Sequence, residues 1–403
     1  MDLFELTRAL IDVESVTGRE RAVGELLAAR LGALAGPTGG GVERMPVAGG
    51  EEGRCNLFAS WGRPEIVLST HMDTVPPFLP SREDAEAIHG RGACDAKGAI
   101  AAMLCAAGEL LAEGRRGFGV LLVVGEETDS AGAIAANREP RGARWLIDGE
   151  PTGNRLAAGS KGALYLALEA SGRMAHSAYP ELGDSAIDRL LAALARLREV
   201  PLPVSDLLGE ATLNVGTLSG GRAPNVVADE ARAEVMIRTV GDTAELRRAL
   251  EAAVRGDPAG GVRVAAWRES RAMRLRTLPG FATTVVRFTS DVPRLPAWGE
   301  PFLLGPGSIH LAHTPEERVG KDELREAVRL YARLVRQLQD GEPAAGEEPG
   351  GEPAAVEQPG GEPATVEQPG GEPATAELPG DRRRSHGTLD RNPDGDQPTR
   401  PGE

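Results

Sequence analysis

The chain has 403 residues, of which 41% are hydrophobic, 26% charged and 3% aromatic, and it carries a formal charge of -15. That length suits two or three domains and a sizeable core. The negative balance, with no basic cluster, argues against nucleic-acid binding, which needs Lys and Arg against phosphate.

No apolar run reaches the ~18 to 20 residues that cross a bilayer. The amino terminus MDLFELTRALIDVES is acidic from its second residue and lacks the basic start and cleavage site of a secretory signal. A cytosolic protein without a membrane partner is expected. Cys55, Cys94 and Cys105 form no CxxC pair, which speaks against a disulfide framework and a thiolate metal site.

Thr17 and Glu20 have capping-box spacing ahead of the run RAVGELLAARLGAL, so a helix is predicted there. EIVLST (65–70), FGVLLVVG (118–125) and ARWLIDG (143–149) read as buried strands, and AKGAIAAMLCAAGELLAEG between the first two reads as a long helix. Strands alternating with helices predict an α/β fold with a mixed, mostly parallel sheet flanked by helices.

From residue 163 the order becomes strand, helix, strand, strand, helix, strand, through GALYLALEASG, SAIDRLLAALARLREV, EATLNVGTLSGG, EARAEVMIRT, TAELRRALEAAVRG and GVRVAAW. That order predicts an inserted α+β split-βαβ, ferredoxin-like domain. The expected organisation is a catalytic domain in two parts, 1–162 and 269–340, an inserted domain over 163–268, and a terminal tail over 341–403. The tail repeats PGGEPAAVEQ, PGGEPATVEQ and PGGEPATAEL from Pro349. Fixed Pro and Gly with few apolar residues predict disorder. A solubility role and a docking role are both open for it.

Polar residues follow three of the predicted strands: His71 and Asp73 after the first, Glu126 and Glu127 after the second, and Glu150 after the third. Ligand sites of open α/β sheets lie beyond the carboxyl ends of strands, and Asp95 stands in a fourth loop just before the long helix. Each pair alone is ordinary on a solvated surface. Together they group imidazole with hard carboxylates, a donor set for zinc or another first-row divalent ion, and adjacent carboxylates are unfavourable without a cation.

The strings STHMDTVP, GRGACDAKG, GEETDSAGA, DGEPTG, RMAHSAYPELGDSAI, APNVVAD and GPGSIHLAHTPEERV occur in that order. They resemble the signature blocks of the di-zinc amidohydrolases and metallopeptidases, the family of acetylornithine deacetylase, succinyl-diaminopimelate desuccinylase, aminoacylase and glutamate carboxypeptidase. The resemblance spans about residues 1 to 340.

The resemblance implies a zinc-exopeptidase-like fold and two Zn2+, with Co2+ or Mn2+ as possible substitutes. One ion would be held by His71 and Glu150, the other by Glu127 and His313, with Asp95 bridging both. Asp73 would orient the His71 ring through its other nitrogen. Glu126 would be the general base, taking a proton from the attacking water and passing it to the leaving nitrogen. His176, in the inserted domain, would reach the substrate carbonyl, often across a dimer interface. Asn225 and Arg238 would contact a substrate carboxylate, and Gly305 and Gly307 would let backbone approach the ligand. His310 is the alternative to His313, while His89 and His386 read as surface residues. A structural role for His176 and a solvated one for Arg238 stay open.

The implied reaction is amide hydrolysis of a small N-acyl amino acid, with acetylornithine and arginine or lysine biosynthesis as the first expectation and a possible homodimer through the inserted domain. Leu303-Leu304 stand where the acetylornithine enzymes carry Glu-Cys. A desuccinylase, a dipeptidase or a carboxypeptidase on the same centre is the alternative, and an inactive binding or scaffolding relative the remote one.

Overall fold

The computed structural model describes residues 2–256 and 260–341. The predicted tail, apart from Gly341, lies outside the described residues.

The large sheet has six strands in the order Gly41–Pro46, Cys55–Trp61, Phe118–Val123, Ile66–His71, Trp145–Asp148 and Glu300–Leu303. The first two junctions are antiparallel and the last three parallel. Side chains alternate across it, as period-two strands require. Leu57, Leu68 and Leu122 pack with the helices Arg21–Thr38, Lys97–Ala112 and Lys321–Asp340, whereas Phe58, Val67 and Leu121 pack on the other face with Ala133, Leu295 and Trp298. The sheet is therefore covered on both sides, the reason its strands read as near-continuous apolar runs.

The helix Lys97–Ala112 is buried nearly all round, matching its alanine-rich sequence. The helix Lys321–Asp340 instead buries one stripe, Leu324, Val328, Tyr331, Val335 and Leu338. At its start the Gly320 N–H donates to Glu323 Oε2 at 2.9 Å.

The second helix begins at Arg21, but the predicted capping box is absent. Thr17 Oγ1 donates to Asp73 Oδ2 at 2.7 Å, and buried Glu20 receives Arg54 Nε and Nη2 at 2.7 and 2.8 Å. Tertiary partners far along the chain take both side chains away from the local cap.

Four strands form an antiparallel sheet in the order Thr212–Gly220, Glu230–Thr239, Gly162–Ser171 and Val262–Ser270. The helices Ala186–Arg198 and Ala244–Arg255 cover one face, around Leu166, Leu168, Leu190, Val235 and Leu250. The opposite face carries Tyr165, Ala167, Met236 and Arg238. At the root of this unit, Leu156–Ser160 pairs with both Met273–Arg274 and Thr283–Val286, holding together the incoming and outgoing chain. Among the described residues no helix is long and apolar enough to cross a membrane.

Candidate functional site

The parallel strands Ile66–His71, Phe118–Val123 and Trp145–Asp148 end side by side, so the residues that follow them converge despite their separation in sequence. Ligand atoms of His71, Asp95 and Glu127 all lie within 4.8 Å of one another. His71 Nε2 is 3.0 Å from Asp95 Oδ1. His313 Nε2 is 3.3 Å from Asp95 Oδ2 and 3.0 Å from Glu127 Oε2. Glu150, buried, faces the same cleft as Asp95, Glu126, Glu127 and His313.

Asp73 is the organiser beneath. Its carboxylate accepts the backbone N–H groups of Glu126 and Glu127 at 3.1 and 3.2 Å, in addition to the Thr17 hydroxyl. The expected clamp on His71 differs in detail: Nδ1 lies 3.0 Å from the Asp73 carbonyl oxygen and 3.5 Å from carboxylate Oδ1. An Nδ1–H donating to that carbonyl leaves Nε2 with a lone pair facing a carboxylate oxygen 3.0 Å away. Two acceptors at that distance require a proton or a cation between them.

The electrostatics carry the same message. Burial opposes protonation of His71, yet Asp73 and Asp95 raise its pKa well above the usual value. Hydrogen bonds to Asp95 and Glu127 raise His313 to about 10. Burial pushes the carboxyls of Glu126, Glu127 and Glu150 up, reinforced by neighbouring carboxylates. For Asp95 burial acts in the same sense but is outweighed by His313 and His71, which hold it below the normal range. Among the described residues no Lys or Arg is hydrogen-bonded to these carboxylates. Four acidic groups and two imidazoles without such a counter-charge fit a pair of divalent cations.

The cleft encloses about 570 Å³, within the range of small-molecule sites. Its acidic wall comes from the large sheet. The facing wall comes from the four-stranded sheet and includes Tyr165, Arg238 and Arg268.

Residues 67–337 match the family described as Peptidase family M20/M25/M40. The chain belongs to the M20 peptidase family. A peptidase M20 domain-containing protein of Schizosaccharomyces pombe is 37% identical over 342 residues, covering 83% of this chain and 84% of that protein. A probable carboxypeptidase of Aspergillus clavatus is 39% identical over 378 residues, covering 83% and 82%. Among solved structures, a tripeptidase from Staphylococcus aureus superposes with a TM-score of 0.68 at 20% identity, covering 84% of this chain and 98% of that one. An M20 family metallo-carboxypeptidase from Sulfolobus solfataricus gives 0.65 at 15% identity, covering 83% and 99%. At such identities the structures bear on the fold alone. This M20 chain is a hydrolase, which sets aside a purely scaffolding role.

Not every expected residue of the M20 chain reaches the cleft. His176 is exposed, bridges to Val226, and has its ring 6.4 Å from that of Tyr179. Asn225 lies beside it, its carbonyl accepting the Ser177 N–H at 3.0 Å. Neither lines the cleft of its own chain. The glycines of GPGS approach protein: a Cβ on Gly305 would stand 2.5 Å from the Glu150 carbonyl oxygen, and one on Gly307, whose φ is 83°, 2.4 Å from Cys94 Cβ. They permit close packing of the loops that carry Glu150 and Asp95. His310 is absent from the cluster, and His313 holds a left-handed φ of 64°, a conformation costing about 1 to 2 kcal/mol in a non-glycine residue.

Three contributors had no flag in the sequence. Glu317 is buried and receives Arg91 Nη1 at 2.5 Å and the backbone N–H groups of Cys94 and Asp95 at 3.3 Å. Tyr165 and Arg268 line the cleft, with the Arg268 guanidinium 5.0 Å from the Tyr165 ring centroid. The repeated acidic residue of AHTPEERV was the available signal for Glu317; strand alternation was the signal for Tyr165.

Proposed function

We propose that the chain is a metal-dependent peptidase of carboxypeptidase or dipeptidase type, acting in the cytosol on a small substrate with a free carboxylate next to the scissile amide. The observation that carries this reading is the convergence of His71, Asp95 and Glu127, with His313 Nε2 at 3.3 and 3.0 Å from the two carboxylates. His71, Asp95 and Glu150 would hold one divalent ion, and Asp95, Glu127 and His313 the other, with Zn2+ favoured and Co2+ or Mn2+ able to substitute. Bound there, such ions supply Lewis-acid polarisation of the carbonyl and an acidified water.

The chain's own residues do the rest. Glu126 faces the cleft with a carboxyl that burial keeps well above the usual carboxylate pKa, suited to accepting a proton from water and returning it to the leaving amine. Arg238 lines the facing wall, and its buried Nη1 has no hydrogen-bond partner. An unmet buried donor is costly, and a substrate carboxylate would satisfy it with a charge-assisted bond. Asp73 and Glu317 fix the loops that present Glu126, Glu127 and Asp95.

His176 and Asn225 are assigned to the cleft of a second copy, in a homodimer formed through the inserted domain at 163–268. Met174, Tyr179, Leu182 and Leu218 are large apolar side chains left exposed on that domain, as an unburied interface would leave them. Acetylornithine deacetylation is kept as a second reading on the blocks GPGSI and AHTP alone; the names of the curated relatives favour the carboxypeptidase reading. A panel of dipeptides, N-acetyl amino acids and N-succinyl amino acids assayed with metal-reconstituted protein tests the proposal. Hydrolysis of dipeptides is expected; turnover of no dipeptide would defeat it, and turnover of N-acetyl amino acids alone would favour the second reading.

A further inference from the structure

The helix-free face of the four-stranded sheet is ordered in rows by strand register. Nearest the cleft, Arg238 pairs with Ala163 and Ala163 with Ser270; next, Asn214, Met236, Tyr165 and Arg268 stand abreast; then Glu234, Ala167 and Ala266. Beyond these, Glu169 forms ion pairs with Arg232 and Arg263. The third row thus sets the small side chains of Ala167 and Ala266 between two rows of large ones. A hollow of about 180 Å³ results.

Two further observations single it out. Both outer strands carry a β-bulge at this level, between Val215 and Thr217 and between Val264 and Ala266, and bulges of this kind bend strands and re-aim side chains beside functional sites. Gly216, at the first bulge, lines the hollow without adding a side chain. In addition, the hollow continues the catalytic cleft, because Tyr165 and Arg268 line both.

We propose that this hollow is the subsite for the side chain of the substrate's carboxyl-terminal residue, and that it selects apolar side chains of leucine to phenylalanine size. The inference rests on the peptidase reading of the cleft. Arg238, in the row nearest the cleft, and Arg268, abreast of Tyr165, would hold the carboxylate. From Arg268 the third row lies ~7 Å further along the strands, about the reach from a carboxylate to the tip of a Phe side chain. An apolar cavity of ~150 Å³ accommodates a benzene ring, so the volume suits a phenyl or isobutyl group. Tyr165, Met236, Ala167 and Ala266 line it, with Glu234 and Asn214 as polar neighbours and Arg268 shared with the cleft. With Arg268 engaged by the first carboxylate, a second one would meet Glu234, and the hollow therefore disfavours acidic side chains.

The test compares kcat/KM for Ala-Ala, Ala-Leu, Ala-Phe and Ala-Glu with metal-loaded protein. Leu and Phe should exceed Ala by at least about tenfold, the discrimination that extra methylenes in an apolar pocket provide, and Glu should fall below Ala. Ala167→Phe, and independently Ala266→Leu on the edge strand, should bring the Phe-to-Ala ratio toward one by filling the hollow. Equal rates for Ala and Phe, or a preference that survives both substitutions, would overturn the subsite. If no dipeptide is turned over, the peptidase reading fails by itself, and calorimetry still decides the subsite. Free L-phenylalanine should then bind more tightly than L-alanine to the unsubstituted protein and lose that advantage in both variants; equal affinities would sink the proposal.

Discussion

The Glu317 carboxylate accepts the backbone N–H of Asp95 at 3.3 Å across 222 positions of sequence, while its other oxygen takes Arg91 Nη1 at 2.5 Å. The proposed bridging ligand is thus held through its main chain by a buried ion pair. Glu317→Ala would leave the buried Arg91 guanidinium without its counter-charge, which costs about 3–5 kcal/mol. Thermal or denaturant unfolding should register that loss, and an unchanged midpoint would remove Glu317 from this role.

Glu126 has no ligand role in the scheme, so Glu126→Gln should retain bound metal and lower kcat by ~100- to 10,000-fold, the range expected for a lost general base. Metal analysis alongside steady-state kinetics checks both halves. Turnover near that of the unsubstituted enzyme would take Glu126 out of the mechanism.

Asp73→Ala removes the acceptor of the Glu126 and Glu127 N–H groups and of Thr17 Oγ1. Metal affinity should weaken by about 10- to 100-fold, as for other partners that orient ligands. Competition against a chelator measures it. Thr17→Val removes one of those bonds and should cost only about 1 kcal/mol of stability; equal effects from the two substitutions would contradict the ranking.

Metal binding should release protons and tighten as pH rises. In metal-free protein the carboxylates Asp95 and Glu127 lift His313 to about 10, and His71 is lifted above its ordinary value by Asp73 and Asp95 despite burial. At neutral pH the His313 ring then holds a proton that ligation must displace, and the shift at His71 acts in the same direction. Raising the pH removes that competition, so apparent affinity increases; lowering it has the opposite effect. Calorimetry in buffers of different ionisation enthalpy should reveal proton release, and heats independent of the buffer would argue against these rings as ligands.

Much of the site was legible because residues after successive parallel strands must converge, and His71, Glu127 and Glu150 obey that rule. Asp95 stands in a further loop before the long helix, whereas His313 is marked by the signature blocks alone. Thr17 and Glu20 have the spacing of a local cap, but spacing cannot reveal a partner such as Asp73, 56 residues away, or Arg54, 34 away. Around Gly305 and Gly307 the close protein neighbours are Glu150 and Cys94; a glycine in sequence announces close approach without naming the neighbour. The rows that frame the hollow beside Tyr165 depend on strand register and two bulges, which no single strand encodes.

The most direct measurement is metal stoichiometry of the purified chain after reconstitution, repeated on His71→Ala, Asp95→Asn and His313→Ala. Two ions per chain are expected, with the capacity reduced to one by either histidine substitution and both ions weakened by Asp95→Asn. A full complement of tightly bound metal in all three variants, or no specific uptake by the unsubstituted chain, would contradict the proposed centre.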